Sequence, residues 1–206
     1  MIKKIQIGKF PLVLAVVSAI LFIGFLALTV YAPKSNFKNI DITGNTSFGN
    51  NFSLVDPQGN TRTLADYKGK VVVLFFGYTQ CPDVCPTTLS ELKAVMNELG
   101  SLGDKVQVIF VTVDPDRDTA QILAQYVPAF DPRFVGLRPS DKEALQKVTK
   151  DFKIYYNYIP GQTKGSYTVD HSAGGFVFDP NGQLRLYVKY AQGPEPLAHD
   201  LKVLLQ

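Results

Sequence analysis

The only two cysteines of this chain, Cys81 and Cys85, are separated by three residues within the sequence CPDVCP. A thiolate is both a nucleophile and a ligand for soft metals, so the pair allows either thiol–disulfide exchange or metal coordination by two sulfur atoms. A purely structural disulfide is a weaker interpretation, because a bridge that closes so short a loop constrains the unfolded chain only slightly. The pair therefore predicts a functional site and leaves both chemistries open.

Only two histidines, His171 and His199, could add nitrogen ligands to the sulfur pair. A structural zinc site takes four protein ligands and would need both of them. Two thiolates with one imidazole form a softer site that suits copper, since sulfur favours Cu(I) and imidazole also accommodates Cu(II). His171 stands at the mouth of a predicted strand, with Asp170 beside it either accepting a hydrogen bond from the ring or capping a turn. An isolated histidine is more often a surface or satisfied core residue, so the residues alone leave its role as a ligand open. His199 lies among apolar residues of the last predicted helix and is interpreted as structural or solvated.

Two continuous apolar segments, Val71–Phe76 and Val106–Val113, predict strands that are buried on both faces, as in the middle of a sheet covered by helices. Apolar residues at three- and four-residue spacing from Leu89 to Leu99 predict an amphipathic helix that ends at Gly100. The cysteines lie between the first strand and this helix. Open α/β sheets place their sites at such junctions, and a helix N-terminus favours the thiolate.

Shorter elements are predicted on either side of this centre. Further helices are expected near 119–126, from a capping box of Ser140 and Glu143 to about residue 152, and from about residue 194. Further strands, several of them joined by Pro- and Gly-containing turns, are expected at 52–55, 61–64, 134–137, 154–158, 167–169, 172–178 and 184–190. This order predicts an α/β fold, a thioredoxin-like mixed sheet flanked by helices with an N-terminal β-hairpin extension.

The N-terminal region has a different composition, with no charged residue from Phe10 to Pro33. At about 1.5 Å per helical residue, residues 10–32 can cross a hydrocarbon layer of roughly 30 Å, so they predict one N-terminal transmembrane helix. The lysines before it place residues 1–9 in the cytoplasm and the rest of the chain in the periplasm or extracytoplasmic space of a bacterial-type cytoplasmic membrane. A cleaved signal peptide is the alternative, but its apolar region usually has only about 7 to 15 residues.

Residues 33–49 are polar and predict a linker that leads to a domain at 50–206. Of the 21 basic residues, four lie in the first 34 positions, which leaves 17 against 18 acidic residues in the remainder. The net charge of +3 therefore belongs to the N-terminus. The exported part has no basic surplus for a polyanion, so no nucleic-acid partner is expected.

Four separated motifs resemble the Sco/SenC family, and they occur in the order found in that family. They are FGYTQCPDVCP from Phe76, VDPDRDT from Val113, YVPAFD from Tyr126 and VDHS from Val169. The similarity runs from about residue 52 to the C-terminus.

The resemblance implies a membrane-tethered, thioredoxin-like domain that binds copper, as Cu(I), Cu(II) or both, through Cys81, Cys85 and His171. Gln80 departs from the family pattern, because many members have histidine before the first cysteine. That position is not a family ligand, so copper binding is expected to survive and the tuning of the site to differ.

The function that the resemblance implies is that of a copper metallochaperone, rather than an enzyme, which assists assembly of the CuA centre in subunit II of cytochrome c oxidase. Its partners would be subunit II or a similar copper acceptor, a thiol reductant, another copper chaperone as donor, and the membrane through residues 10–32. The alternative is a thiol–disulfide reductase that keeps cysteines of subunit II or another exported protein reduced. In that case Cys81 and Cys85 form a redox pair able to close a disulfide, with Cys81 attacking and Cys85 resolving. Peroxide reduction is a weaker third interpretation, since no peroxidatic signature accompanies Cys81.

Overall fold

A computed structural model of the chain describes residues 17–22 and 36–206. Residues 17–22 are helical. The remainder of the predicted transmembrane segment 10–32, and all of segment 1–9, lie outside the described residues. Within the described ranges, no helix combines the length and the apolar character that a membrane span requires. Residues from Phe37 to the C-terminus form a compact unit of their own.

The compact unit contains ten strands and four α-helices in its described residues. The strands are β1 (Ile40–Asp41), β2 (Ser53–Val55), β3 (Thr61–Thr63), β4 (Val71–Gly77), β5 (Val106–Thr112), β6 (Val135–Leu137), β7 (Tyr156–Pro160), β8 (Tyr167–His171), β9 (Gly175–Phe178) and β10 (Leu184–Val188). The helices are α1 (Val84–Leu99), α2 (Ala120–Tyr126), α3 (Lys142–Asp151) and α4 (Pro194–Leu204). Two short 3₁₀ turns lie at Leu64–Tyr67 and Gly100–Lys105.

The central sheet has six strands in the order β1-β10-β9-β4-β5-β6. β4 is parallel to β5 and β5 to β6, whereas β9 runs antiparallel to both β4 and β10. The parallel pairs are joined through α1 and α2, as parallel strands require a crossover. The predicted mixed sheet flanked by helices is therefore confirmed.

The side chains of β4 alternate between two hydrophobic clusters. Odd-numbered positions from Val71 to Phe75 join a cluster with α1 and α4, and even-numbered positions from Val72 to Phe76 join one with α3 and the N-terminal hairpin. Because successive side chains of a strand point to opposite faces, both faces must be apolar. This double burial fixes the end of β4, from which the cysteine loop leaves.

Two hairpins lie outside the central sheet. β2 and β3 form the predicted N-terminal hairpin, which is tied to the remainder by a bridge between Val55 and Arg138. β7 and β8 form a separate two-stranded ribbon in which Tyr156 stands opposite His171. We refer to these two strands as the β7–β8 ribbon.

The compact unit begins earlier than the boundary predicted at residue 50. β1 lies inside the predicted linker 33–49 and pairs with β10. The backbone N–H groups of Lys38 and Asn39 also donate to the buried carboxylate of Asp200 in α4. A strand of two residues carries too short a pattern to be recognised from sequence.

The strand predicted from Ser172 begins in the structure at Gly175. The backbone N–H of Ser172 instead donates to the carbonyl of Tyr155, which extends the β7–β8 ribbon by one pair. His171 consequently ends β8 and does not stand at the mouth of a central strand.

The capping box predicted for Ser140 and Glu143 is wrong, because the N-cap lies one residue later than predicted. Asp141 is the N-cap of α3, and its carboxylate accepts a hydrogen bond from the backbone N–H of Ala144. The Ser140 hydroxyl donates to this carboxylate. Serine and aspartate are both good caps, so residue type does not decide between two such neighbours.

Candidate metal centre

Cys81 lies in the loop between β4 and α1. Its Sγ accepts a hydrogen bond from the backbone N–H of Cys85 at 3.5 Å. Cys85 is the second residue of α1, so this N–H is one of those that a helix leaves without an internal acceptor. The N-cap residue, Asp83, makes no side-chain capping bond. The sulfur of Cys81 therefore acts as the acceptor at the positive end of the helix, a position that stabilises a thiolate.

The two thiols differ in exposure and in protonation. Cys81 is partly exposed and Cys85 is buried. A hydrogen bond from the Cys85 thiol lowers the pKa of Cys81 to about 4, with support from backbone N–H groups and against the effect of burial. The same hydrogen bond, together with burial, raises the pKa of Cys85. Without metal, Cys81 is the thiolate and Cys85 is the thiol that donates to it.

His171 brings an imidazole to the two cysteines from the end of β8. Its Nε2 lies 3.5 Å from Sγ of Cys85, and its Nδ1 lies 2.9 Å from the carbonyl oxygen of Ser172. Because a carbonyl can only accept, Nδ1 carries a proton, and in the neutral ring Nε2 is then the nitrogen whose lone pair faces the sulfur atoms. An imidazole held by its other nitrogen in this way is the usual form of a metal ligand.

The ligand atoms of Cys81, Cys85 and His171 all lie within 4.8 Å of one another. In the part of the chain that the structure describes, this is the single group of three or more histidine, cysteine or acidic side chains with such spacing. The structure thus brings together the three residues expected from the sequence. Two sulfur atoms and one nitrogen make a soft donor set.

The other candidates from the sequence lie away from this cluster. Nδ1 of His199 is 2.8 Å from the carboxylate of Asp200 within α4, in line with its structural interpretation. Asp170 is exposed on β8 opposite Asn157, and the ring of His171 is oriented by the Ser172 carbonyl instead.

A family model described as SCO1/SenC matches residues 40–206 of the chain. The chain belongs to the SCO1/SenC family. The mitochondrial SCO2 homolog of Bos taurus is 37% identical over 153 residues, which cover 73% of this chain and 57% of the relative. This member therefore spans under two thirds of the length of that mitochondrial relative.

Solved structures of family members share its fold. The copper-bound ScoI of Bradyrhizobium japonicum is 39% identical with a TM-score of 0.70, and the match covers 77% of this chain and 99% of that one. The copper-bound Sco1 of yeast is 31% identical with a TM-score of 0.68, covering 76% of this chain and 87% of that one.

The buried carboxylate of Asp118 holds the cysteine loop of this SCO1/SenC member. Residue types alone did not indicate this role. Asp118 accepts hydrogen bonds from the backbone N–H of Thr79 at 3.0 Å, from the Thr79 hydroxyl at 2.6 Å and from the Thr112 hydroxyl at 2.5 Å. Burial raises the pKa of Asp118, and these hydrogen bonds oppose the rise. The loop that leads to the cysteines is thereby tied to the end of β5. The VDPDRDT motif contained this residue, but nothing in its spacing assigned the role.

Gly77, at the end of β4, is a second residue whose role the sequence did not show. A Cβ at this position would lie 2.5 Å from Sγ of Cys85 and 2.9 Å from the ring of Phe110. Such distances are shorter than van der Waals contact allows, so any side chain would displace the sulfur. Glycine is required here for close packing of Cys85 against the strand.

Proposed function

We propose that this protein is a membrane-anchored copper metallochaperone that binds copper through Cys81, Cys85 and His171. We further propose that it assists assembly of the CuA centre in subunit II of cytochrome c oxidase. The observation that carries the proposal is the convergence of two sulfur atoms and one imidazole nitrogen within 4.8 Å. The copper-bound structures of the Bradyrhizobium and yeast relatives support it.

The donor set fits copper better than zinc. Two sulfur ligands favour Cu(I), and the imidazole also accommodates Cu(II). A structural zinc site takes four protein ligands, and the described residues supply three to this cluster. A three-ligand site also suits a carrier, because an acceptor's ligand can approach the ion before the carrier's ligands leave.

The chemistry implies three kinds of partner besides the membrane. A copper acceptor, subunit II or a similar protein, must offer ligands of its own, and another copper chaperone can act as donor. The third partner is a thiol reductant. Both cysteines are free in the structure, but an exported compartment is oxidising, and a disulfide would remove both thiolates from the site.

We infer that residues 10–32 anchor the protein in a bacterial-type cytoplasmic membrane, with 1–9 in the cytoplasm and the domain outside. The uncharged composition of this segment and the lysines before it support this topology. Labelling of Cys81 in intact spheroplasts with a membrane-impermeant maleimide tests it. Labelling before lysis is expected, and labelling only after lysis would contradict the topology.

Copper titration of the reduced full chain in detergent, against a competing Cu(I) chelator of known affinity, tests the ligand set. His171→Ala should weaken binding at least tenfold, about 1.4 kcal/mol, because the third ligand is lost. His199→Ala is the matched control, since that ring pairs with Asp200 within α4, and it should bind like wild type. Unchanged affinity of His171→Ala would remove the histidine from the proposed site.

The difference between the two thiols favours a second candidate, the thiol–disulfide reductase. The Cys81 thiolate is partly exposed and suited to attack a substrate disulfide, giving a mixed disulfide and releasing one substrate thiol. Cys85 would then attack the sulfur of Cys81, release the second substrate thiol and leave a Cys81–Cys85 disulfide for the reductant partner. Turnover of a disulfide substrate separates the candidates. A reductase should lose turnover in Cys85→Ser and keep it in His171→Ala.

A further inference from the structure

Arg117 joins the loop that carries Cys81 to the ribbon that carries His171. Its Nη1 donates to Oε1 of Gln80 at 3.2 Å and to the carbonyl oxygen of Tyr167 at 2.8 Å. Gln80 directly precedes Cys81, and Tyr167 is the first residue of β8, which ends at His171. One nitrogen atom therefore bridges the two segments that supply all three candidate ligands.

A buried carboxylate fixes the orientation of this guanidinium. Nε of Arg117 donates to Oδ2 of Asp114 at 2.5 Å, and the hydroxyl of Tyr167 donates to Oδ1 at 2.8 Å. The Asp114 side chain is fully buried. The guanidinium also lies 3.6 Å from the centroid of the Tyr167 ring. A planar fork that both stacks and donates in two directions is a property of arginine that lysine lacks.

The β7–β8 ribbon needs such a tie because it is not part of the central sheet. Its first strand is largely exposed, from Asn157 to Pro160. An isolated two-stranded hairpin is only marginally stable in water. The position of His171 therefore depends on contacts between the ribbon and the remainder of the domain, among them the Tyr158 hydroxyl, which donates to the carbonyl of Val113 at 3.0 Å.

We propose that Arg117 is a positioning residue that holds His171 beside the cysteines before copper arrives. The inference rests on the proposed copper function and concerns the metal-free state. When only a fraction of molecules has the ring in place, the apparent affinity falls by that fraction. Arg117 raises the fraction by fixing the start of β8 against the cysteine loop.

The test compares Arg117→Gln and Arg117→Lys with wild type in the reduced full chain. Copper affinity should fall about tenfold in Arg117→Gln, which is the loss expected when the ring is in place in only about one molecule in ten. Arg117→Lys should also lose affinity, because charge alone does not restore the stacked fork. Should Arg117→Gln fail to fold, Tyr167→Phe removes one hydrogen bond of the same tie and should weaken binding in the same direction. In the metal-free protein, the NMR signals of the His171 ring should be narrow in wild type and broadened in both arginine variants.

Arg133→Lys is the matched control for the loss of an arginine–aspartate pair. Arg133 donates through Nε and Nη2 to Asp131, and its carbonyl accepts from Gln107 near the start of β5, at the end of the sheet opposite the cysteines. This variant should lose some stability and keep both its copper affinity and its His171 spectrum. Equal changes in the control would show that general destabilisation causes the effect and would overturn the inference.

A double-mutant cycle shows whether Arg117 acts through His171. In the His171→Ala background, Arg117→Gln should cause no further loss of affinity, whereas an equal loss in both backgrounds would overturn the inference. Unchanged affinity in Arg117→Gln alone would overturn only the positioning role and leave the copper site standing. Unchanged affinity in His171→Ala would overturn both the histidine ligand and the role given to Arg117.

Discussion

The sulfur of Cys85 occupies space that any side chain at position 77 would fill. In Gly77→Ala the new Cβ would lie 2.5 Å from that sulfur, so the thiol or the strand must shift. Overpacking of this kind costs about 1–3 kcal/mol of stability. We expect that loss in urea unfolding, together with an at least tenfold weaker affinity for copper in the chelator competition, because the sulfur of Cys85, a proposed ligand, is displaced.

Gly136→Ala is the control for overpacking as such. Its Cβ would lie 3.1 Å from Val127 and 3.2 Å from Leu123, away from the cysteines. This variant should lose stability and bind copper like wild type. If Gly77→Ala also kept wild-type affinity, the close approach of Cys85 to β4 would have no part in metal binding.

The low pKa of Cys81, about 4, predicts how its reactivity depends on pH. The pKa is lowered in the folded protein, so the thiolate persists at neutral pH and is lost only as the pH falls through about 4. The rate of alkylation by iodoacetamide, followed by peptide mass spectrometry, should therefore be nearly constant from about pH 6 to 8. An ordinary thiol would react about tenfold faster for each pH unit over this range.

Cys85→Ala provides the comparison for this profile. The Cys85 thiol is the largest cause of the lowered pKa of Cys81, and alanine removes this side-chain donor while keeping the backbone N–H that donates to the sulfur. Alkylation of Cys81 in this variant should slow at pH 6 relative to wild type and increase with pH. A wild-type rate that climbed tenfold per unit would contradict the assignment of Cys81 as the thiolate.

At the scale of elements, the cysteine loop depends on the end of β5 through Asp118. In Asp118→Asn the NH2 of the new amide group replaces an accepting oxygen. This NH2 then lies among three hydrogen-bond donors, two from Thr79 and one from Thr112, and it cannot accept from them. A buried polar group left without a partner costs about 1–3 kcal/mol. We expect that loss of stability and faster hydrogen exchange at the Thr79 amide.

Asp56→Asn is the matched variant for this effect, because Asp56 is also buried and accepts hydrogen bonds at the turn between β2 and β3. It should lose stability without changing exchange at Thr79. Faster exchange at Thr79 in both variants would mean that the loop responds to global stability and not to Asp118.

The elements with local signals could be predicted from sequence. β4 and β5 are continuous apolar segments, and α1 has the three- and four-residue spacing of an amphipathic helix, so the strand–helix junction with its two cysteines followed directly. The short or ambiguous elements could not be predicted, as the two-residue β1 and the choice of Asp141 over Ser140 show. Their selection depends on tertiary contacts and not on local pattern.

The site required information that residue spacing does not contain. His171 is 86 positions from Cys85, and its side chain reaches the sulfur only because the β7–β8 ribbon packs beside the cysteines. The sequence pattern instead predicts His171 at the mouth of the following strand. The family resemblance supplied the histidine, whereas residue types alone left it open. The roles of Gly77 and Arg117 could not be predicted for the same reason, because they depend on distances between segments that only the fold brings together.

At the scale of the whole domain, copper would join segments that are far apart in sequence and should therefore stabilise the fold. Copper at 100 times its dissociation constant adds about 2.7 kcal/mol, which for a domain of this size corresponds to a rise in Tm of roughly 5–11 °C. Calorimetry of the reduced full chain with Cu(I) measures the rise. His171→Ala should show a smaller rise at the same copper concentration, and the oxidised protein should show none. An equal rise in the oxidised protein would place the bound copper elsewhere.

In the cell, the metal and the thiol roles predict different rescues of a deletion strain. If the protein carries copper, the strain should lose the CuA signal and the activity of cytochrome c oxidase, and added copper should restore part of both. If it only reduces disulfides, a small-molecule thiol should restore them and added copper should not. His171→Ala separates the roles again, because a carrier needs the imidazole that lies 3.5 Å from Cys85 whereas a reductase does not. We expect this variant to fail in complementation, and full complementation would favour the reductase.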